Sequence, residues 1–190
     1  MSNSKPYALP VLASTAAAML LGLFFKPDAW MDVVIAIGGL TFLYFFDRKK
    51  EISHTSFFLL LTTFVLNPLG VFWLYTQFVS GILGYDKVVH FTSSLVATFV
   101  LLEIDRKKRY GFVLLIVLGM GTVVELGEFV GTYYFGIDKG GILAVGDTLP
   151  SIKSDLQRFD TQFDFVFNLL GTIVGGFAAF VRQRAKNPKA

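Results

Sequence analysis

The sequence contains no cysteine, and only 16% of its 190 residues are charged. The absence of cysteine excludes disulfides, thiolate metal sites and cysteine nucleophiles. A soluble domain typically carries roughly 25% charged residues. The low share of charge therefore indicates that the natural solvent of this chain is a membrane rather than water.

The familiar catalytic signatures are also missing from the sequence. It has no G-x-S-x-G elbow, no H-E-x-x-H helix and no Walker loop, so the familiar hydrolase and nucleotide-binding signatures are absent. The net charge is only +3, and the basic residues form short clusters between apolar runs. We therefore expect membrane lipids, and not nucleic acid, as partners.

Long apolar runs dominate the chain, in which 54% of residues are hydrophobic. A bilayer core roughly 30 Å thick needs about 20 apolar residues per helical span. We predict an all-α, polytopic transmembrane helical bundle of about six spans, in a single integral membrane domain over residues 1–190. The predicted spans are 7–25, 30–46, 56–83, 86–104, 110–135 and 159–181.

Two of these runs leave an alternative open. The first contains small residues at 14–18 and could instead be a secretory signal with a cleavage site. The third is longer than one span needs, and Asn67 and Pro68 interrupt it. It is either one bent helix or two short pieces, because proline breaks or kinks a helix.

Basic residues are distributed unevenly between the two sides that six spans define. Twelve lie on the side that carries both termini and the loops 47–51 and 106–109, whereas five lie on the other side. Cytoplasmic segments of membrane proteins carry the excess of Lys and Arg. We therefore predict cytoplasmic N and C termini and a location in the inner or plasma membrane.

Three predicted spans carry polar side chains at helical spacing. Asp86 and His90 lie one turn apart in the fourth span, as do Glu125 and Glu128 in the fifth. The sixth span carries a stripe of polar and small residues, namely Asp160, Asp164, Asn168, Gly171 and Gly175. A charged side chain costs at least about 2.5 kcal/mol at the bilayer centre, so such groups face the bundle interior.

These polar groups have similar depths in the predicted bundle. With a rise of 1.5 Å per residue, His90, Glu128 and Asp164 each fall on the order of 10 Å from the outer end of their helices. An imidazole with several carboxylates suits a divalent cation such as Zn, Mn, Fe or Mg. The candidate metal ligands are His90, Glu125, Glu128 and Asp164, and Asp28 and Asp32, close to the start of the second span, could contribute.

Two other interpretations of the same residues stay open. The polar stripe could be a hydrogen-bonded network that holds the last three spans in register, with Gly171 and Gly175 allowing close packing. It could also be a proton or ion pathway, since intramembrane carboxylates and histidines form relays.

The second half of the chain resembles a known family in its motifs. The matching elements are Asp86-Lys87-x-x-His90-Phe91, Glu125-x-x-Glu128, and Arg158-x-Asp160-Thr161-Gln162-x-Asp164-x-x-x-Asn168-x-x-Gly171-x-x-x-Gly175. Over residues 85–176 they resemble the VanZ-like family of small membrane proteins, and more closely its YjdF-type inner-membrane relatives. An amide often stands in place of Glu128 in the VanZ pattern, which favours the YjdF-type branch. The resemblance implies a site at the cell envelope, since some VanZ-type members are associated with glycopeptide resistance.

The leading functional hypothesis is a metal-dependent membrane hydrolase or transferase that acts on a lipid or lipid-linked envelope substrate from the outer leaflet. Asp160 or Glu125 would act as the catalytic base for a metal-bound water. The candidate substrate-binding residues are Arg158, Asn168 and Asp86, with Arg158 suited to a phosphate headgroup. The alternatives are a proton- or cation-coupled transporter and a non-catalytic envelope or lipid-binding protein.

Overall fold

The computed structural model describes residues 5, 7–50, 52–74, 78–80, 83–105, 107, 109–135 and 160–186, without the side chains of 28, 31, 78–80, 83, 128, 129, 131–135, 160, 161 and 186. Six long helices make up these segments, which confirms the predicted all-α bundle. They are α1 (Ala8–Gly22), α2 (Trp30–Lys50), α3 (His54–Leu69), α4 (Tyr85–Ile104), α5 (Tyr110–Phe135) and α6 (Asp160–Lys186).

The third apolar run differs from the predicted span over 56–83. Helix α3 continues through Pro68 only into a π-helical turn at Gly70–Leu74, and a short antiparallel hairpin then pairs Phe78–Ser80 with Leu83–Gly84. Proline lacks the amide hydrogen that a helical hydrogen bond needs, so the helix widens and ends close to it. The end of this run is therefore a hairpin and not part of a span.

The bundle is polar inside and apolar outside over its second half. On α6, the side chains of Asp164, Asn168 and Thr172 are at most 2% exposed, whereas Phe177 is 67% exposed. Leu115 on α5 is 69% exposed. This arrangement is expected when the surrounding solvent is lipid, because polar groups are then satisfied only within the protein.

Four helices of the described chain are long and apolar enough to cross a membrane, at His54–Leu74, Tyr85–Ile104, Tyr110–Gly127 and Gln162–Ala185. Helix α1 is apolar but has only 15 residues, and α2 carries charged residues at both ends. The orientation of the termini and the single domain over 1–190 stay predictions.

Helices α1, α2 and α3 share one apolar core, in which Val33, Leu43 and Phe57 are fully buried. A second core joins α4 to α5 and α6, with Leu102, Val113 and Ala179 at its centre. The two cores meet along α3 and α4. Consequently, the three helices with the polar stripes form one half of the bundle.

Helices α4 and α6 pack with their backbones in contact at two glycines of α6. A Cβ added at Gly171 would overlap the carbonyl oxygen of Phe91, and one added at Gly175 would overlap that of Leu95. Small residues let transmembrane helices approach backbone to backbone in this way. The glycines of α6 therefore bring its polar residues directly against those of α4.

Candidate functional site

Helix α4 presents an acid and an imidazole to the bundle interior. The hairpin ends at Gly84, whose backbone is extended, and α4 begins at the next residue. Asp86 therefore lies in the first turn of α4, and His90 lies one turn later. Oδ1 of Asp86 is 3.4 Å from Nε2 of His90. The predicted pairing of these two residues on one helix face is therefore present in the structure.

Helices α5 and α6 each add a carboxylate at the same depth. Oε1 of Glu125 and Oδ1 of Asp164 both lie 3.6 Å from Nε2 of His90. Glu125 and Asp164 are buried, with 7% and 1% exposure. Three carboxyl groups from three helices thus surround one imidazole. The common depth of His90 and Asp164 is seen here, whereas Glu128, the third residue of that estimate, has its side chain outside the described residues.

Lys87 completes the cluster, and sequence reasoning missed it. Its side chain is 6% exposed, and Nζ lies 2.7 Å from Oδ2 of Asp86 and 2.6 Å from Oδ1 of Asp164. Lys87 stands in the Asp86-Lys87-x-x-His90-Phe91 motif, but it was not among the predicted site residues. Its position beside Asp86 in the D-K-x-x-H motif was the available signal.

The cluster formed by Asp86, Lys87, His90, Glu125 and Asp164 is named the polar cluster below. It brings three carboxyl groups, one amino group and one imidazole together. A surplus of buried negative charge is strongly unfavourable unless a cation or proton compensates it. Carboxyl and imidazole groups gathered in this way have the chemistry that suits a bound cation or proton.

Three ligand atoms of the polar cluster satisfy the spacing of a metal site. Asp86, His90 and Asp164 each offer one atom within 4.8 Å of the others, and Asp86 is the member that the sequence analysis assigned to substrate binding. The side chain of Glu128, the fourth predicted ligand, lies outside the described residues. The metal assignment itself stays a prediction.

Asn168 lies one turn of α6 below the polar cluster. Its side-chain oxygen accepts a 2.7 Å hydrogen bond from the hydroxyl of Ser94 on α4. Its Nδ2 faces Gly121 of α5, where an added Cβ would be 2.7 Å away, and this amide nitrogen has no hydrogen-bond partner among the described residues. Asn168 thus links α4 to α6 rather than lining the cluster.

Two other predicted site residues cannot be located. Arg158 and the side chain of Asp160 lie outside the described residues, so their assigned roles in substrate binding and catalysis stay predictions. Asp32 is buried but lies elsewhere, where it accepts a 3.1 Å hydrogen bond from Asn67 of α3. Its contact is with α3, so it forms a separate polar contact in the first half of the bundle.

A comparison with protein families matches almost the whole chain. A family model described as "Predicted membrane protein (DUF2238)" covers residues 8–185. The chain belongs to this family. The match runs from the start of α1 to the end of α6, so the DUF2238 unit contains both apolar cores and the polar cluster. No curated protein and no solved structure matches the chain.

Proposed function

We propose that the polar cluster binds one divalent cation and that the protein is a metal-dependent membrane enzyme. The observation that carries the proposal is the spacing around His90, whose Nε2 lies 3.4, 3.6 and 3.6 Å from oxygens of Asp86, Glu125 and Asp164. Tetrahedral zinc ligands at 2.0–2.2 Å from the metal are separated from one another by about 3.4 Å. Asp86, His90 and Asp164 each offer one ligand atom within 4.8 Å of the others. In the proposal Glu125, whose Oε1 lies 3.6 Å from His90, would be the fourth ligand.

The charge of the cluster supports the same proposal. Three carboxyl groups lie around His90, and a divalent cation would place compensating positive charge among them. Neutrality matters here because uncompensated charge is costly in a low-dielectric interior. With one nitrogen and three oxygen ligands, zinc, iron and manganese fit the set best, and magnesium fits it less well.

The proposed substrate is a lipid or lipid-linked envelope molecule with a phosphate or carbonyl group at the outer leaflet. The side chain of Asp86 is 34% exposed, whereas those of His90, Glu125 and Asp164 are at most 10% exposed. The cluster is thus accessible from the side on which α4 begins. A cation there would polarise an oxygen of the substrate, and Glu125 or Asp160 would accept the proton of the attacking water.

Metal binding is tested by elemental analysis and calorimetry of the purified protein with Zn²⁺ or Mn²⁺. One bound ion per chain is expected, and His90→Ala should weaken binding by more than about tenfold, since even second-shell losses cost 10–100-fold. His54→Ala is the matched control, because His54 is the other histidine and contacts Tyr7 instead. Equal binding by both variants, or no binding by the parent, would refute the metal site.

Enzymatic activity is tested separately, by the release of inorganic phosphate from a detergent-dispersed lipid phosphate. The expected result is turnover that requires the divalent ion and is lost in Asp164→Asn. Metal binding without turnover of phosphate or ester lipids would retain the site but refute the enzyme.

The resemblance of the sequence motifs to the VanZ-like family suggests a relationship beyond the DUF2238 family. We propose that α4, α5 and α6 correspond to the VanZ-like unit in its YjdF-type form, because Asp86, His90, Glu125 and Asp164, which carry the resemblance, meet in one cluster. This relationship supports a site at the cell envelope. A solved VanZ-type structure with the equivalent acid and histidine on separate faces would count against it.

A second candidate function is a cation-coupled carrier, and one observation favours it. Nζ of Lys87 is 2.6 Å from the same Oδ1 of Asp164 that faces His90, so a bound cation would compete with an internal ammonium group. A carrier must release its ion as well as bind it, and such a competitor promotes release. Ion flux into liposomes that is lost in Glu125→Gln and Asp164→Asn would support this function, whereas equal flux in all three proteins would exclude it.

A further inference from the structure

A groove lies between α4, α5 and α6 at the end of the bundle opposite the polar cluster. Its volume is about 530 Å³, and its lining includes Thr98 of α4, Gly111 of α5 and Gly176 of α6. This volume falls within the range of roughly 300–1,000 Å³ that is typical of small-molecule sites. Its lining belongs to helices that are long and apolar enough to cross a membrane, so the occupant that fits it is a lipid chain.

The two threonine hydroxyls in the lining of the groove already donate their protons to backbone carbonyls. The hydroxyl of Thr98 already donates to the carbonyl of Ser94 at 2.8 Å, and that of Thr172 donates to the carbonyl of Asn168 at 2.7 Å. Along α6 the lining runs from Thr172 to Phe180, which is about 12 Å at 1.5 Å per residue. That length is close to the roughly 15 Å of hydrocarbon in one leaflet.

Apolar contact alone would not select a lipid for this groove, because bulk lipid tails provide the same environment. Selection requires the headgroup, and Arg184 is placed to supply it. Its guanidinium stacks over the ring of Phe180, a lining residue, at 4.7 Å. Among the described residues no carboxylate lies within salt-bridge distance of Arg184, whereas the neighbouring Arg182 pairs with Glu103.

We propose that this groove binds one acyl chain of an anionic phospholipid from the leaflet nearest the α4–α5 connection, with its phosphate held by Arg184. The proposal is independent of the metal site and of the enzyme. A bilayer of anionic lipid attracts Lys and Arg at its surface with about 1 kcal/mol per side chain. The groove adds to this general attraction a fixed place for one chain.

The apolar part is tested by filling the groove. A Cβ added at Gly176 or Gly111 would meet no described heavy atom within 4 Å, so Gly176→Leu and Gly111→Leu should fold and occupy the space. Gly119→Leu is the matched control, since Gly119 has equally open surroundings and does not line the groove. Native mass spectrometry with phosphatidylglycerol should show one retained lipid for the parent and the control, and little for either filled variant.

The headgroup is tested with equal amounts of phosphatidylglycerol and phosphatidylcholine. Arg184→Gln should lower the preference for the anionic lipid by about fivefold, and Arg184→Lys should retain it. Arg48→Gln is the control, because Arg48 stacks on Tyr44 of α2 in the same manner but away from the groove. Retention of phosphatidylglycerol by both filled variants, or equal retention of the two lipids by the parent, would overturn the proposal.

Discussion

Lys87 and Asp164 form a buried ion pair across the interface of α4 and α6, with Nζ 2.6 Å from Oδ1. The two residues are 77 positions apart in the chain. The pair places the Lys87 amino group inside the polar cluster, where it also contacts Asp86.

Removal of this ammonium group should strongly destabilise the metal-free protein. Lys87→Met leaves Asp86 and Asp164 without their shared cation, and breaking a buried pair costs about 3–5 kcal/mol. The free energy of unfolding, measured by SDS titration in mixed micelles, reports the loss. Added Mn²⁺ should restore more stability to Lys87→Met than to the parent, because the variant carries a larger negative excess.

Lys107→Met is the control for that experiment, since Lys107 lies on the exposed α4–α5 connection. Its substitution should change the free energy of unfolding by less than about 0.5 kcal/mol. Equal decreases in the free energy of unfolding of the two variants would show that the buried ion pair stabilises the protein no more than an exposed lysine does.

The hydrogen bond between Ser94 and Asn168 should make a measurable contribution to helix packing. Ser94→Ala removes the donor to the buried amide oxygen of Asn168, and hydrogen bonds between transmembrane helices contribute about 0.6 kcal/mol on average and up to about 1.7. Ser14→Ala provides the comparison, because the hydroxyl of Ser14 bonds only to carbonyls of its own helix. If Ser14→Ala were the more destabilising change, the interhelical role would be wrong.

Close packing of α6 on α4 should not tolerate a single added methyl group. Gly171→Ala places a Cβ against the carbonyl of Phe91, and overpacking costs about 1–3 kcal/mol. Gly38→Ala, where the added Cβ meets no described atom within 4 Å, should leave the unfolding transition almost unchanged. Similar transitions for the two variants would mean that the helices separate easily.

The turn between α4 and α5 should weaken in acid. The carboxylate of Asp105 accepts hydrogen bonds from the backbone amides of Arg109 and Lys107, at 3.0 and 3.2 Å. The bond from the Arg109 amide, followed by those from its side chain, lowers the pKa of Asp105 below its usual 3.8. Because the pKa of Asp105 is lower in the folded protein than in the unfolded chain, its stabilising effect is complete above the pKa of the unfolded state. The effect is lost as the pH falls through the pKa of the folded state.

Hydrogen exchange at the Arg109 amide, followed from pH 5 downwards, measures this effect. In the parent protein, protection of the Arg109 amide should decrease only below the ordinary pKa of an aspartic acid. In Asp105→Asn, protection of this amide should be lower over the whole pH range and should not follow the titration of a carboxyl group at position 105. A parent whose protection already decreased near pH 5 would contradict the lowered pKa.

The sequence predicted which helices carry the residues of the site, but it did not predict the buried ion pair within it. Helical spacing placed Asp86 with His90 on one face, and helix geometry gave His90 and Asp164 equal depths, because both inferences depend only on local periodicity. These predictions could be made without knowing how the helices pack. The bounds of α4 and α5 also followed closely from the apolar runs.

Lys87 and the end of the third run could not be predicted in the same way. A lysine at the start of a span usually extends towards the headgroups, and its burial here depends on Asp164, which is distant in sequence. The hairpin at residues 78–84 follows an apolar stretch that a hydropathy pattern cannot distinguish from helix. Both features result from tertiary packing rather than from local preference.

The contact of Gly171 and Gly175 with the α4 backbone also constrains how the molecule can move. Two helices that contact each other backbone to backbone resist sliding past one another. Helix α5 carries Glu125 and meets Asn168 of α6 at Gly121. A change in the position of α5 relative to the α4–α6 pair would therefore move Glu125 relative to His90.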